Sequence, residues 1–167
     1  TEKYTILEIA EKFAHKPIAI LGEPGSGKTT LVKRLAIHYA QTGARLPVFI
    51  DIARYSADSE FNFLDVLRHY VDEITIKALL KAGKLTIIFD GLNEVGIDQR
   101  ESAIRTLTNF TMSHTNNQFF ITCRTADYPT FLRAEVSRVE VLPISTNEVR
   151  AYLVKVLGPD LEARVYW

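Results

Sequence analysis

Apolar residues along the chain fall into short runs that alternate with longer amphipathic segments. Between the runs, apolar positions recur at three- and four-residue intervals, as they do on one face of a helix. The first run has no polar alternation, which is typical of a central parallel strand covered on both faces. Strands that alternate with helices predict right-handed crossovers and a parallel sheet between two helical layers. The predicted strands cover residues 18–21, 47–52, 85–89, 118–123 and part of 136–142.

Capping and breaking residues mark the boundaries of the predicted helices. Capping boxes, in which the capping residue precedes a Glu by three positions, are expected at Thr5, Asp98 and Ser145. Gly43 and Gly83 are expected to end two other helices. The predicted helices cover residues 6–14, 28–42, 63–71, 74–81, 99–113 and 146–157, with one or two helical turns within 128–134 and a polar loop over 53–60.

The length of 167 residues is that of one domain with a substantial core. No predicted strand follows the last helix, so we divide the chain into a core, 1–143, and the beginning of a helical subdomain, 144–167. The chain starts at Thr1 and stops abruptly at Trp167, and we therefore expect it to be a piece of a longer protein.

Composition and charge restrict the class of partner. Twenty basic and twenty acidic residues cancel, so nothing indicates nucleic acid or an anionic membrane. No apolar run is long enough to cross a bilayer, and we expect no membrane partner. The single cysteine, Cys123, excludes an internal disulfide and favours a reducing compartment, so we expect a cytoplasmic location. Cys123 lies in an apolar run and is interpreted as a core residue, not a nucleophile.

A glycine-rich segment separates the first predicted strand from the next helix, with the spacing Gly-x4-Gly-Lys-Thr of a phosphate-binding loop. Gly25 and Gly27 can adopt positive φ and bring backbone N–H groups close to phosphate oxygens. Lys28 can reach the β- and γ-phosphates, and the Thr29 hydroxyl can ligate Mg²⁺. The segment is assigned to nucleotide binding, and it comprises Gly22, Glu23, Pro24, Gly25, Ser26, Gly27, Lys28, Thr29 and Thr30.

A carboxylate ends the third predicted strand. Ligands of parallel α/β sheets lie at the carboxyl ends of strands, so Asp90 is expected near the phosphate-binding loop, where it can hold Mg²⁺. Glu94 follows four residues later and can orient and polarise an attacking water. For Glu94, a solvated turn residue remains the alternative interpretation.

The fourth predicted strand ends on Arg124. If this strand lies between the strand before the phosphate-binding loop and the strand that ends at Asp90, Arg124 reaches the γ-phosphate region. It can then sense or stabilise the charge of the γ-phosphate. The alternative is an exposed surface arginine. The predicted catalytic residues are therefore Lys28, Glu94 and Arg124, and the predicted metal ligands are Thr29 and Asp90.

Residues 22–29, 87–94 and 121–124 together strongly resemble the NACHT group of STAND ATPases. The resemblance extends through 141–145 and the following helix, and its most specific part is Asp-Gly-Leu-Asn-Glu at 90–94. We expect a three-layer α/β P-loop NTPase with a five-stranded parallel sheet in the order 5-1-4-3-2. The resemblance implies a switch that is ADP-bound and closed at rest, and ATP-bound and oligomeric when active. Such proteins act in signal transduction, programmed cell death, innate immunity or defence against phage.

Two departures from the family pattern bear on function. Asn93 replaces the first residue of the expected acidic pair, and an amide cannot accept a proton as a base, so turnover is expected to be slow. The chain also ends before the family's winged-helix region and its nucleotide-sensing histidine. The closed-state lock, and part of the adenine pocket, are then expected in further domains of a longer chain.

We interpret the chain as an ATP/ADP-binding switch domain that binds Mg·ATP and hydrolyses it slowly. Two alternatives remain open. Asn93 favours a non-hydrolysing regulatory module. An AAA+-like motor would need an arginine finger, and no arginine of this sequence can be assigned that role. A GTPase is disfavoured by the lack of an Asn-Lys-x-Asp motif, and an ABC ATPase by the lack of Leu-Ser-Gly-Gly-Gln.

Overall fold

The computed structural model describes residues 2–55, 63–69, 71–129 and 136–157, and its framework is a five-stranded parallel sheet. The strand order is β2-β3-β4-β1-β5, and every pairing is parallel. This is the predicted order 5-1-4-3-2, so the predicted fold class is confirmed. The strands are β1 (Ile18–Gly22), β2 (Leu46–Asp51), β3 (Leu85–Asp90), β4 (Gln118–Arg124) and β5 (Ser137–Glu140).

Helices connect the strands and flank the sheet. Two of the predicted capping boxes are confirmed, since Thr5 and Glu8 exchange hydrogen bonds, as do Ser145 and Glu148. None of the helices in the described ranges is both long and apolar enough to span a membrane. The helices are α1 (Ile6–Lys12), α2 (Lys28–Thr42), α3 (Ile52–Tyr55), α4 (Phe63–Leu67), α5 (Glu73–Lys81), α6 (Ile97–Ser113) and α7 (Thr146–Leu157), with a 3₁₀ turn at Leu92–Glu94.

Some local predictions differ from the structure, and others cannot be compared with it. The capping box at Asp98 is wrong, because α6 begins two residues earlier behind Gly96 and Asp98 lies in its first turn. The second predicted strand ends one residue early, because the buried Ile52 begins α3, and this helix also covers residues 53–55 of the predicted loop. Residues 56–60 of that loop, and 130–134 of the helical turns predicted near Tyr128, lie outside the described residues.

Apolar residues on the two faces of the sheet form two core layers. One layer packs one face of the sheet against α4, α5 and α6. In this layer the rings of Phe63 and Phe119 each lie next to those of Phe89 and Phe110. The other layer packs Ile18, Ile20 and Phe120 against α1 and α2. All five positions of β1 are buried, and each large apolar side chain so buried contributes about 1.5–3 kcal/mol. The β1 strand is thereby held rigidly beneath the loop that follows it.

A buried amide at Asn117 closes the amino-terminal edge of the sheet. Its Oδ1 accepts from the N–H of Leu85 at 3.1 Å. Its Nδ2 donates to the carbonyls of Leu80 at 2.8 Å and His114 at 3.2 Å. The side chain therefore connects α5, β3 and the turn after α6 without needing water.

The neighbouring amide of Gln118 connects the sheet to both helices of the second layer. Its Oε1 accepts from the hydroxyls of Tyr39 at 2.9 Å and Thr86 at 3.2 Å, and its Nε2 donates to the Ala10 carbonyl at 2.6 Å. Burial raises the pKa of the Tyr39 hydroxyl, which keeps that donor protonated. This amide positions α1 and α2 relative to β3 and β4.

Candidate functional site

The loop between β1 and α2 has a backbone that only glycine accommodates readily. Gly25 and Gly27 have φ of 75° and 89°, in the left-handed region. A Cβ added at Gly22 would lie 2.7 Å from Ser26 Oγ. Gly27 caps α2 without a side-chain hydrogen bond, so the positive end of the helix dipole and its first N–H groups suit an anion. The structure therefore confirms positive φ at Gly25 and Gly27, whereas the role of the loop in phosphate binding stays a prediction.

Lys28 is held over this loop by main-chain acceptors. Its Nζ donates to the carbonyls of Gly22 at 2.9 Å and Glu23 at 2.8 Å, and lies 3.4 Å from Ser26 Oγ. The ammonium group therefore lies within the curve of the loop, near the start of α2, where it adds a full positive charge to the helix dipole.

Thr29 and Asp90, the two predicted metal ligands, lie in direct contact although 61 residues separate them. The Thr29 hydroxyl lies 3.1 Å from Asp90 Oδ1 and 3.0 Å from Oδ2. Hydroxyl and carboxylate oxygens are hard donors that suit Mg²⁺. In the part of the chain that the structure describes, no group of three or more His, Cys, Asp or Glu could hold a metal by itself. A metal bound here would thus depend on phosphate oxygens, as Mg²⁺ commonly does.

Thr122, which the sequence patterns did not single out, positions Asp90 from the adjacent strand. Its buried hydroxyl donates to Asp90 Oδ1 and accepts from the N–H of Gly91 at 2.9 Å. One side chain on β4 therefore fixes both the carboxylate and the start of the next turn. In sequence, the available signal is a hydroxyl residue between the apolar Ile121 and Cys123, which is weak because Thr is also a good strand former.

Glu94 lies at the end of the 3₁₀ turn, exposed to solvent. Its N–H donates to the Gly91 carbonyl at 2.8 Å. Gly91 has φ of 84°, and a Cβ there would lie 3.3 Å from Glu94 Cδ. The absence of a side chain at Gly91 leaves room for the Glu94 carboxyl group, which folds back over this glycine. Glu94 is accessible to water, whereas its place beside the predicted metal ligands stays a prediction.

Arg124 ends β4, which lies between β1 and β3 as the prediction required. In the strand register it pairs with Gly22, the first residue of the loop. Its side chain is exposed, and its N–H donates to Asn93 Oδ1 at 3.1 Å. The fold therefore brings Arg124 to the loop, whereas its role at the γ-phosphate stays a prediction.

A cavity of about 600 Å³ lies between α1, α2 and the segment that runs from β5 to α7. Ile6 and Phe13 of α1, Leu31 of α2 and Val141 after β5 contribute to its mainly apolar lining. Val141 reaches the phosphate-binding loop, because its Cβ is 3.4 Å from the position of a Cβ at Gly22. The sequence patterns missed this cavity because its walls come from opposite ends of the chain.

Cys123 does not belong to the chemical site. It is fully buried in β4, and this burial raises the pKa of its thiol to about 11. A thiol with such a pKa is almost entirely protonated at neutral pH and is a poor nucleophile. This agrees with its interpretation as a core residue.

The fold, the glycine loop and the carboxylate at the end of β3 define a P-loop nucleotide-binding module. The family model of the NACHT domain matches residues 16–159, which is most of the chain. The chain belongs to the NACHT family, and the recognition made from its motifs is confirmed. No curated protein sequence matches it.

Solved structures with a similar fold include PCH-2 from C. elegans, with a TM-score of 0.59 and 18% identity over 93% of this chain and 42% of that one. The chain thus spans less than half of PCH-2, and the likeness shows the fold alone. Weaker similarities are found to the DnaC helicase loader (TM-score 0.46, 19% identity, 99% of this chain and 89% of that one) and to AMPPCP-bound DnaA from Aquifex aeolicus (TM-score 0.48, 14% identity, 95% of this chain and 62% of that one).

Proposed function

We propose that this NACHT domain is an ATP/ADP-operated switch that binds Mg·ATP and hydrolyses it slowly. The observation that carries the proposal is the contact between Thr29 and Asp90 beside Lys28, at the mouth of a glycine loop with left-handed backbone. Two hard oxygen donors and one cation at a helix N-terminus are the groups that a Mg²⁺–triphosphate complex requires.

Each group of the loop has a separate task in this proposal. Residues 22–30 bind the phosphates through backbone N–H groups, and Lys28 adds a positive charge at the β- and γ-phosphates. Thr29 and Asp90 hold Mg²⁺, which when bound neutralises charge on the phosphate oxygens. Gly91, the residue after Asp90, leaves room for the carboxyl group of Glu94.

Glu94 orients the attacking water and accepts its proton, and Arg124 responds to the γ-phosphate. The exposure of Glu94 supports this role, since water reaches the carboxylate directly. Asn93 cannot share the role, because an amide does not accept a proton. Hydrolysis with a single carboxylate is therefore expected to be slow, as suits a switch more than a motor.

The cavity between α1, α2 and β5 supports binding of a nucleotide base. Its volume of about 600 Å³ is within the range of small-molecule sites, and its lining is mainly apolar. Ile20 and Leu31 connect it to the strand and helix on either side of the phosphate-binding loop. An adenine ring packed there would leave its phosphates directed towards residues 22–30.

As part of a longer protein with further domains, the switch would act in signalling or defence in the cytoplasm. Its active state would be a homo-oligomer. α7 would begin a helical subdomain over 144–167. Retention of ADP by the purified protein would favour the switch over an AAA+-like motor. ATP turnover that rises with protein concentration would favour the motor instead.

The test is the variant Glu94→Gln, which removes the proton acceptor with almost no change of shape. We expect ATP affinity to be retained and the single-turnover hydrolysis rate to fall by about 10²-fold or more. Glu101→Gln is the matched control, because Glu101 is exposed on α6 and pairs with its helix neighbour Arg105. An unchanged rate in Glu94→Gln would show that Glu94 is not the base. ATP binding without any turnover in the unmodified chain would favour the non-hydrolysing regulatory module.

A further inference from the structure

Asn93, which stands where the family pattern has an acidic residue, has its side chain directed back into the protein. Its Oδ1 accepts from the backbone N–H of Arg124 at 3.1 Å, although the two residues are 31 positions apart. The side chain is half-buried. This contact joins the 3₁₀ turn after β3 to the end of β4.

Arg100 holds the same turn from the other side. Its Nη2, on α6, donates to the carbonyls of Asn93 at 2.9 Å and Val95 at 3.3 Å. Its Nη1 lies 3.8 Å from Asp127 Oδ1, in the turn that follows Arg124. A single guanidinium group thus contacts both the segment that carries Glu94 and the segment that follows β4.

We propose that Asn93 is a positioning residue that couples the turn bearing Glu94 to the strand end bearing Arg124. The coupling rests on the proposed function, in which these two side chains act on the γ-phosphate. Because Asn93 is adjacent to Glu94 in sequence and bonds to the backbone of Arg124, displacement of either segment displaces the other. The γ-phosphate then meets both side chains in one fixed arrangement, whereas ADP engages neither.

The chemistry of the contact predicts which substitutions preserve it. An N–H donor needs only an acceptor oxygen, which Asp supplies as well as Asn does. Alanine removes the acceptor, so the Arg124 N–H must then donate to water. Asn93→Asp should therefore preserve the coupling, and Asn93→Ala should break it.

The contact is tested first without nucleotide, by amide hydrogen exchange of the 167-residue chain followed by NMR. In Asn93→Ala we expect the Arg124 amide to exchange roughly fivefold to tenfold faster, as loss of one hydrogen bond implies. The Asp variant, and Asn109→Ala at an exposed asparagine of α6, should keep the exchange rate of the unmodified chain. An unchanged Arg124 rate in Asn93→Ala overturns the contact.

The coupling is tested by the ratio of ATP to ADP affinity, measured by calorimetry on the same variants. We expect Asn93→Ala to lower the ATP affinity about fivefold and to leave the ADP affinity unchanged, with the Asp variant close to the unmodified chain. A purely structural residue would weaken both nucleotides equally, and that result overturns the coupling. Arg100→Lys, which weakens the contacts of Arg100 with the turn, should shift the ratio of ATP to ADP affinity in the same direction. If neither Asn93→Ala nor Arg100→Lys shifts this ratio, the coupling is overturned as well. Failure of the unmodified chain to bind either nucleotide would overturn the proposed function, while the exchange experiment still decides the contact.

Discussion

The edge of the sheet where the strands begin and the edge where they end use polar side chains in opposite ways. At the amino-terminal edge, the amides of Asn117 and Gln118 are 3% and 2% exposed, and every side-chain nitrogen and oxygen has a partner within the protein. At the carboxyl-terminal edge, the Asp90 carboxylate is half-buried, and Glu94 and Arg124 are exposed. Closed polar networks stabilise and specify a fold, whereas groups with remaining hydrogen-bonding capacity are available to a ligand.

The same helices and strands connect both edges, so the contrast lies in side-chain chemistry alone. β3 and β4 run from the closed network to the open one, and α2 reaches from Lys28 at one edge towards Tyr39 at the other. Substitutions at the closed edge should therefore change the free energy of unfolding. Substitutions at the open edge should instead change nucleotide affinity, and this separation can be tested directly.

The largest effect is expected at the open edge, from Lys28→Ala. Loss of charge-assisted hydrogen bonds to phosphate should lower nucleotide affinity by about 3 kcal/mol or more, at least a hundredfold, so that binding is abolished in practice. The free energy of unfolding should change by no more than about 0.5 kcal/mol, because the hydrogen-bond partners of Lys28 among the described residues lie in its own loop. Calorimetry and urea unfolding measure the two quantities. Lys33→Ala, at an exposed lysine of the same helix, is the control, and equal affinities in the two variants would contradict the assignment.

An opposite result is expected at the closed edge, from Asn117→Ala. Removal of this amide leaves the buried Leu85 N–H without its acceptor and takes one of its donors from the Leu80 carbonyl, which should lower the free energy of unfolding by about 2–3 kcal/mol. Nucleotide affinity of the folded protein should be unchanged. The neighbouring Asn116→Ala, at an exposed position, should leave unfolding as it is. A loss of affinity in Asn117→Ala without loss of stability would break the proposed separation of the two edges.

The two edges also differ in how far the sequence predicted them. The phosphate-binding loop is local, and its glycines are required by the backbone of residues 22–30 themselves, so their spacing alone identifies it. Asp90 was predictable because a strand end in a parallel sheet fixes where a side chain lies. The sheet order was expected from the resemblance to the family and not from any single residue, and the structure agrees.

What could not be predicted depends on contacts between distant segments. Asn93 was interpreted as a lost carboxylate, but its partner is a backbone N–H that no pattern in the sequence marks. The start of α6 was misplaced because Asp98 also fits a capping pattern, and only the backbone at Gly96 shows which residue precedes the helix. Ile52, predicted as the last residue of the second strand, begins a helix instead, and its burial would fit either element.

The smallest effects are expected at Thr122, which is buried like the residues of the closed edge but bonds to Asp90 at the open edge. Thr122→Val keeps the shape but removes the acceptor of the Gly91 N–H, so the free energy of unfolding should fall by about 1–2 kcal/mol. It also frees Asp90 from one of its two hydroxyl donors, so the increase in ATP affinity caused by Mg²⁺ should fall severalfold. Urea unfolding, and calorimetry with and without Mg²⁺, separate these effects. Thr122→Ser retains the hydroxyl and should retain the Mg²⁺ effect. If Ser and Val behaved alike, the hydroxyl group would not account for the change, and Asp90 would be positioned without Thr122.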